Sequence, residues 1–285
     1  MKNKYIALAL LSSIFLQNSI ISINNQINGQ EDSVEKKKEH TIELANLLKN
    51  SIKKEDWKKV IDLINSGADI NTKGEYDNTA LILAAYEGHK DIVTLLINAG
   101  ANMNAKNKSG TNALMGAIQE AHKDIAISLI NAGADTNAQN NNGNTALMYT
   151  VAYTKNLPAQ VYSDQMDMVK SLINAGANIN TQNHDGYTAL TPAIFEGNKD
   201  IVALLIDAGA DINHKNHLNG STPLMYAVFE GNKDIVALLI DAGADINAKD
   251  NENNTALTIA AHNEYKDIAI LIITKALISM LKIVI

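Results

Sequence analysis

Residues 79–104 read TALILAAYEGHKDIVTLLINAGANMN, two short apolar runs separated and closed by glycine. Thr79 caps a helix by accepting a backbone N–H with its hydroxyl. Ala80 to Glu87 is one short helix, and Gly88 supplies the left-handed conformation that ends it. Asp91 to Asn98 is a second helix, with Ile92, Val93, Leu95 and Leu96 on its buried side. Gly100 ends that helix. Asn102 and Asn104 then favour a turn, because their side chains bond nearby backbone. The chain projects outward as a hairpin before the next threonine. Helices of about eight residues bury too little surface alone, so such units must stack on neighbours.

The closing phrase recurs along the chain with its glycine at Gly67, Gly100, Gly133, Gly176, Gly209 and Gly243, at intervals of 33, 33, 43, 33 and 34 residues. A period near 33 marks a stacked repeat. The units resemble ankyrin repeats, whose pattern is Gly-x-Thr-Pro-Leu-His, Gly-His, Leu-Leu and Gly-Ala-Asp-x-Asn. Gly220 to Met225 (GSTPLM) matches the start, Gly88-His89 and Leu95-Leu96 the middle, and Gly243 to Asn247 (GADIN) the end. The resemblance covers about residues 40–273 and implies an all-α solenoid of stacked helix-turn-helix units with projecting β-hairpin loops. The chain departs from the pattern in placing Ala80, Ala146, Ala189 and Ala256 where proline is usual. Alanine is an excellent helix former, so little is lost. Ile82, Met115, Met148, Thr191, Met225 and Thr258 stand where histidine is usual, and Asn112 replaces the capping threonine.

The units fall at 39–72 (an N-terminal cap), about 74–249 (five full repeats) and 250–273 (a last partial repeat), with an apolar tail at 274–285. Residues 1–24 carry Lys2 and Lys4 ahead of the apolar run from Tyr5 to Phe15, the layout of a secretory signal peptide. Export with cleavage, to the periplasm or the medium, is the leading reading. An uncleaved N-terminal membrane anchor and a cytosolic helix are the others. Residues 25–38 read as a polar, flexible linker. In the tail, a helix running past Ile273 would put Leu277, Leu281 and Val284 on one face, able to cover the open end of the stack. Docking into a partner or second copy, and plain exposure, are the alternatives.

Composition narrows the function. All 24 basic residues are Lys, and the net charge is −7. Without Arg the chain lacks the fork that reads phosphate and guanine, and its charge opposes nucleic acid. There is no Cys, so disulfides and thiol catalysis are excluded. His89 and His122 sit in the repeat's own turn; His214 and His217 share a hairpin with no evident third ligand. No metal site, cofactor or catalytic motif is expected.

In ankyrin proteins, partners meet the hairpin tips and the exposed side of the first helix. Carried over, those positions give the row Tyr86, Gln119, Phe195, Phe229 and His262, beside Glu87, Glu120, Glu196 and Glu230. Tyr187 stands at a hairpin tip. Tyr162 lies in the ten-residue insertion, about Tyr153 to Asp164, that lengthens the third full unit. Aromatics anchor contacts and charges steer encounter. Repeat duplication alone would also produce such rows, since Phe195 to Asp200 and Phe229 to Asp234 are identical. The expected function is a monomeric, non-catalytic module binding an unidentified protein partner outside the cytoplasm, with no nucleic acid and no membrane insertion beyond the N-terminal segment. An accessory or inhibitory subunit of an extracytoplasmic enzyme is the alternative.

Overall fold

The computed structural model describes residues 33–47, 56–152 and 159–284. Residues 1–24, read above as an export signal, and residues 153–158 of the insertion lie outside them. The chain divides into two compact units, residues 1–80 and 81–285. Among the described residues every regular element is a helix, as the all-α solenoid reading implies, and the projecting loops expected as β-hairpins are turns without strand.

In the first unit, helix α1 spans residues 33–47 and so begins inside the stretch read as a linker. Helix α2 runs Asp56–Asn65. Leu44 of α1 is fully buried, together with Trp57, Val60 and Leu63 of α2. Lys59 Nζ lies 2.7 Å from Glu43 Oε1, and its hydrogen bond holds the Glu43 carboxyl below the ordinary carboxylate range. Thr41 Oγ1 accepts from the Asp69 N–H at 3.0 Å and ties α1 to the turn that closes the unit.

From α3 onward the pattern repeats. First helices are α3 (Ala80–Tyr86), α5 (Ala113–Gln119), α7 (Ala146–Val151), α9 (Leu190–Phe195), α11 (Pro223–Phe229) and α13 (Ala256–His262). Second helices are α4 (Lys90–Asn98), α6 (Lys123–Asn131), α8 (Ala159–Asn174), α10 (Lys199–Asp207), α12 (Lys233–Asp241) and α14 (Lys266–Val284). From α5 to α13 each first helix packs on the next first helix; α4 with α6, α6 with α8, α10 with α12 and α12 with α14 form the second layer. The core between the layers is aliphatic: Leu114, Leu129, Leu147, Leu172, Leu190, Ile201, Leu205 and Leu239 are all fully buried. Small units reach a full core only because each contributes one slice of it.

The capping threonines act as expected: Thr145, Thr222 and Thr255 accept from the third residue of their helices. Asn112 does the same at 2.9 Å, but its Nδ2 is buried and meets no acceptor among the described residues. Asn112→Thr would keep the cap and remove the stranded amide. It is expected to raise stability by about 1 kcal/mol, a typical cost of an unsatisfied buried donor, measured by thermal melting. A lower melting temperature would show that the amide does find a partner.

Neighbouring units are bolted together by asparagines at the roots of the hairpin loops. Asn180 Oδ1 accepts from the Asp211 N–H at 2.8 Å while its Nδ2 donates to the Gly209 carbonyl at 3.1 Å. Asn137 bonds the Asn178 N–H and Gly176 carbonyl in the same way, and Asn213 the Asp245 N–H and Gly243 carbonyl. The loop tips are cross-linked too: the N–H groups of Asn141, His184 and Asn251 donate to the carbonyls of Ser109, Asn142 and Asn219 in the preceding loops.

The described part of the insertion, residues 159–164, is helix. Other second helices begin at a Lys-Asp pair, whose counterpart here is Met166-Asp167, but α8 starts at Ala159. Elsewhere the residue opening the second helix donates its N–H to a first-helix carbonyl, as His122 does to Ala117 and Asn198 to Ala193. In this unit the Gln165 side-chain amide donates to the equivalent Thr150 carbonyl. Lys123 secures the longer helix by pairing with Asp164 at 2.9 Å and Asp167 at 2.6 Å. Those two hydrogen bonds push the Lys123 ammonium pKa well above its ordinary value.

At the C-terminal end α14 runs unbroken through the apolar tail, since neither Gly nor Pro interrupts residues 266–284. Ile268 and Ile272 are buried, and Lys275 pairs with Asp241 of α12. Ile270, Ile273 and Leu277, at i, i+3 and i+7, are about half exposed or more. The tail continues the last helix, the course that the covering reading requires, and Leu277 on it is exposed. Leu281 and Val284 have no described side chains.

Candidate docking groove

The hairpin loops stand over the exposed side of the first helices, and between the two runs a concave surface. A hollow of about 870 Å³ in it spans three successive units. Phe195 of α9, Tyr226 and Phe229 of α11, and Ile259 and His262 of α13 line its helix side; Tyr187, Leu218, Asp250 and Glu252 come from the loops.

Three rings form its most ordered part. Tyr187, Phe195 and Tyr226 meet edge to face in all three pairings, with centroids 5.6, 5.8 and 5.3 Å apart. This geometry sets each positive ring edge on a negative face. The ring of Tyr226 is buried while its hydroxyl donates to Asn219 Oδ1 at 3.2 Å; burial raises its pKa above the ordinary phenol value. Phe229, one turn further along α11, is 63% exposed, and Leu218 on the facing loop 61%. Both line the same hollow.

The rim is acidic. Asp250 and Glu252 line the hollow, and no lysine does. Asp250 is committed to its turn, accepting the N–H groups of Glu252 and Asn254. Glu252 is exposed at the loop tip, where its Oε2 accepts from Asn254 Nδ2 at 3.4 Å. Glu196 and Glu230 cap the C-termini of α9 and α11 immediately after Phe195 and Phe229.

The sequence-derived residues therefore divide. Tyr187, Phe195, Phe229 and His262 converge on one hollow. Tyr86 and Gln119 end α3 and α5, with Glu87 and Glu120 just after them, ahead of the insertion. There Tyr86 donates to Glu120, which raises the Tyr86 pKa, and Glu87 lies 3.2 Å from His89 Nε2. The Tyr162 side chain lies outside the described residues. Tyr226 was missed, although its place three residues before Phe229, one helical turn away, was a readable signal. Tyr149 holds the same position in its own unit and lines a smaller neighbouring hollow of about 190 Å³ with Tyr187 and Pro192.

Among the described residues no group of three His, Cys, Asp or Glu is placed to hold a metal, and no helix is long and apolar enough to cross a membrane. His122 Nε2 lies 3.1 Å from the Tyr86 carbonyl, joining its turn to the unit before it.

A family model described as ankyrin repeats (3 copies) matches residues 48–140, 127–216, 159–250 and 213–280. Among solved structures, an ankyrin repeat domain from Acinetobacter baumannii is 30% identical with a TM-score of 0.62, covering 69% of this chain and 97% of its own. The ankyrin repeat domain of Bcl-3, described as a unique member of the IkappaB family, superposes at the same TM-score with 24% identity, covering 70% of this chain and 87% of its own. No curated protein sequence matches.

Proposed function

The chain belongs to the ankyrin-repeat family, and from that membership we propose that it is a non-catalytic binding module whose docking surface is the groove over α9, α11 and α13. Ankyrin repeats are generally protein–protein interaction modules. The observation that carries the reading is the groove itself: a three-ring aromatic cluster continued by the open Phe229. Buried or half-buried aromatics in a concave, water-excluding site are the usual anchors of protein interfaces. The module works outside the cytoplasm; this part of the proposal rests on Lys2, Lys4 and the apolar run from Tyr5 to Phe15. It acts as a single copy.

One experiment tests both parts. The tagged full chain is expressed in its own cells, recovered separately from cytosolic, envelope and culture fractions, and its N-terminus sequenced. Export predicts recovery outside the cytosol with a start within residues 20–35, and recovery of the intact chain from cytosol alone would overturn it. The bound protein is then titrated against the parent and against a Phe195→Ala, Phe229→Ala double variant. Loss of on the order of 2 kcal/mol of binding is expected, with the helical circular dichroism unchanged. Equal affinity would remove the groove from the reading.

A further inference from the structure

We propose that the groove selects a linear peptide segment in which a lysine or arginine stands next to a large apolar residue, the apolar side chain entering against Phe195, Tyr226 and Phe229 and the cation facing Glu252. The proposal rests on the docking reading above and adds the chemistry of the partner. Four observations carry it. The hollow crosses three units, so it suits an extended or helical segment better than a single compact side chain. Its floor is apolar and aromatic, with Phe229 and Leu218 open on opposite sides. Its lining holds two carboxylates and no lysine, while Glu230 stands exposed just beyond Phe229. The whole chain carries a net charge of −7, so a second copy would bring like charge to an already acidic rim.

The charge and the rings act together. A cation placed beside an exposed ring is attracted by the ring's negative face, and more strongly where water is excluded. Glu252, at the loop tip, adds a carboxylate on the opposite side of the same hollow. An acidic segment would meet repulsion from Glu252 and Glu230 and find no lysine in the groove wall to answer it. Arginine fits better than lysine where it stacks on Phe229, because its planar guanidinium lies flat on a ring and keeps its edge donors for a carboxylate.

The test is selection of a random linear-peptide library displayed on phage against the full chain. The retained sequences are then reassayed on Phe229→Ala and Glu252→Lys variants whose melting curves match the parent. Enrichment of basic residues beside Leu, Ile, Phe, Trp or Met is expected. Loss of Phe229 should weaken retained peptides about 30-fold, the effect of a hot-spot aromatic. Reversal at Glu252 should weaken basic peptides about 10-fold, and added salt should weaken them further. Peptides that depend on Phe229 but are acidic or neutral, or are indifferent to Glu252→Lys, would overturn the cation assignment and leave the groove as the docking surface. Peptides that bind the Phe229→Ala variant as well as the parent would overturn both readings, as would a library yielding nothing above background.

Discussion

A Gly143→Ala chain is expected to melt well below the parent, and clearly below a Gly209→Ala chain. Both glycines have left-handed backbone, with φ of +78° and +94°, and an L-residue in that region costs on the order of 1–3 kcal/mol. They differ in what a new methyl would meet. At Gly209 nothing lies within 4 Å of the added carbon, so the cost is backbone strain alone. At Gly143 the carbon would sit 2.9 Å from Asn183 Cα and 2.9 Å from the His184 nitrogen. Both are backbone atoms of the next loop and cannot rotate away. The next loop must move, and the bond from the His184 N–H to the Asn142 carbonyl, now 2.9 Å, goes with it. The extra loss is about 1 kcal/mol for that bond alone. Thermal melting of the two variants side by side decides the matter; equal losses would mean that the loops tolerate wider spacing.

Leu205→Ala should cost about 2–5 kcal/mol, the range for emptying a fully enclosed leucine site. Leu205 lies on α10, is wholly buried, and faces a core made of neighbouring slices. Because each unit is stabilised chiefly by the units on either side, the loss should not stay local. Amide exchange should quicken in α9 through α12 together, while Leu204→Ala, at a partly exposed site one residue away, should have a much smaller effect. A loss below about 1 kcal/mol would mean that the layers close over the cavity.

Most of the fold was legible because it is local and repeated. The closing glycines, the threonine caps and the apolar faces each depend on residues within one unit, and six copies of the phrase reinforce one another. What escaped depends on register between units. Tyr187, Phe195 and Tyr226 come from two units, and nothing within either says that the rings will meet. The asparagines of the loop roots read as turn formers, which they are, but their amides also reach across to the following unit. Gln165 in place of a backbone donor could not be foreseen without knowing that α8 would start early. Helix α1 was misjudged from composition: residues 33–39 are polar or charged except for the exposed Val34, yet the helix runs on to Leu44, which is buried in the first unit's core.

The asparagine joints have a mechanical corollary. Asn137, Asn180 and Asn213 each fasten one unit to the next through a separate pair of bonds, so a pull along the array loads the joints in series. Every joint then bears the same tension, and the weakest yields first. Each release frees one period of about 33 residues, roughly 110 Å of chain when drawn straight. Tethered at one end and gripped at the other, such a protein lengthens in steps, and what it holds in its groove stays held for as long as the three units beneath remain closed.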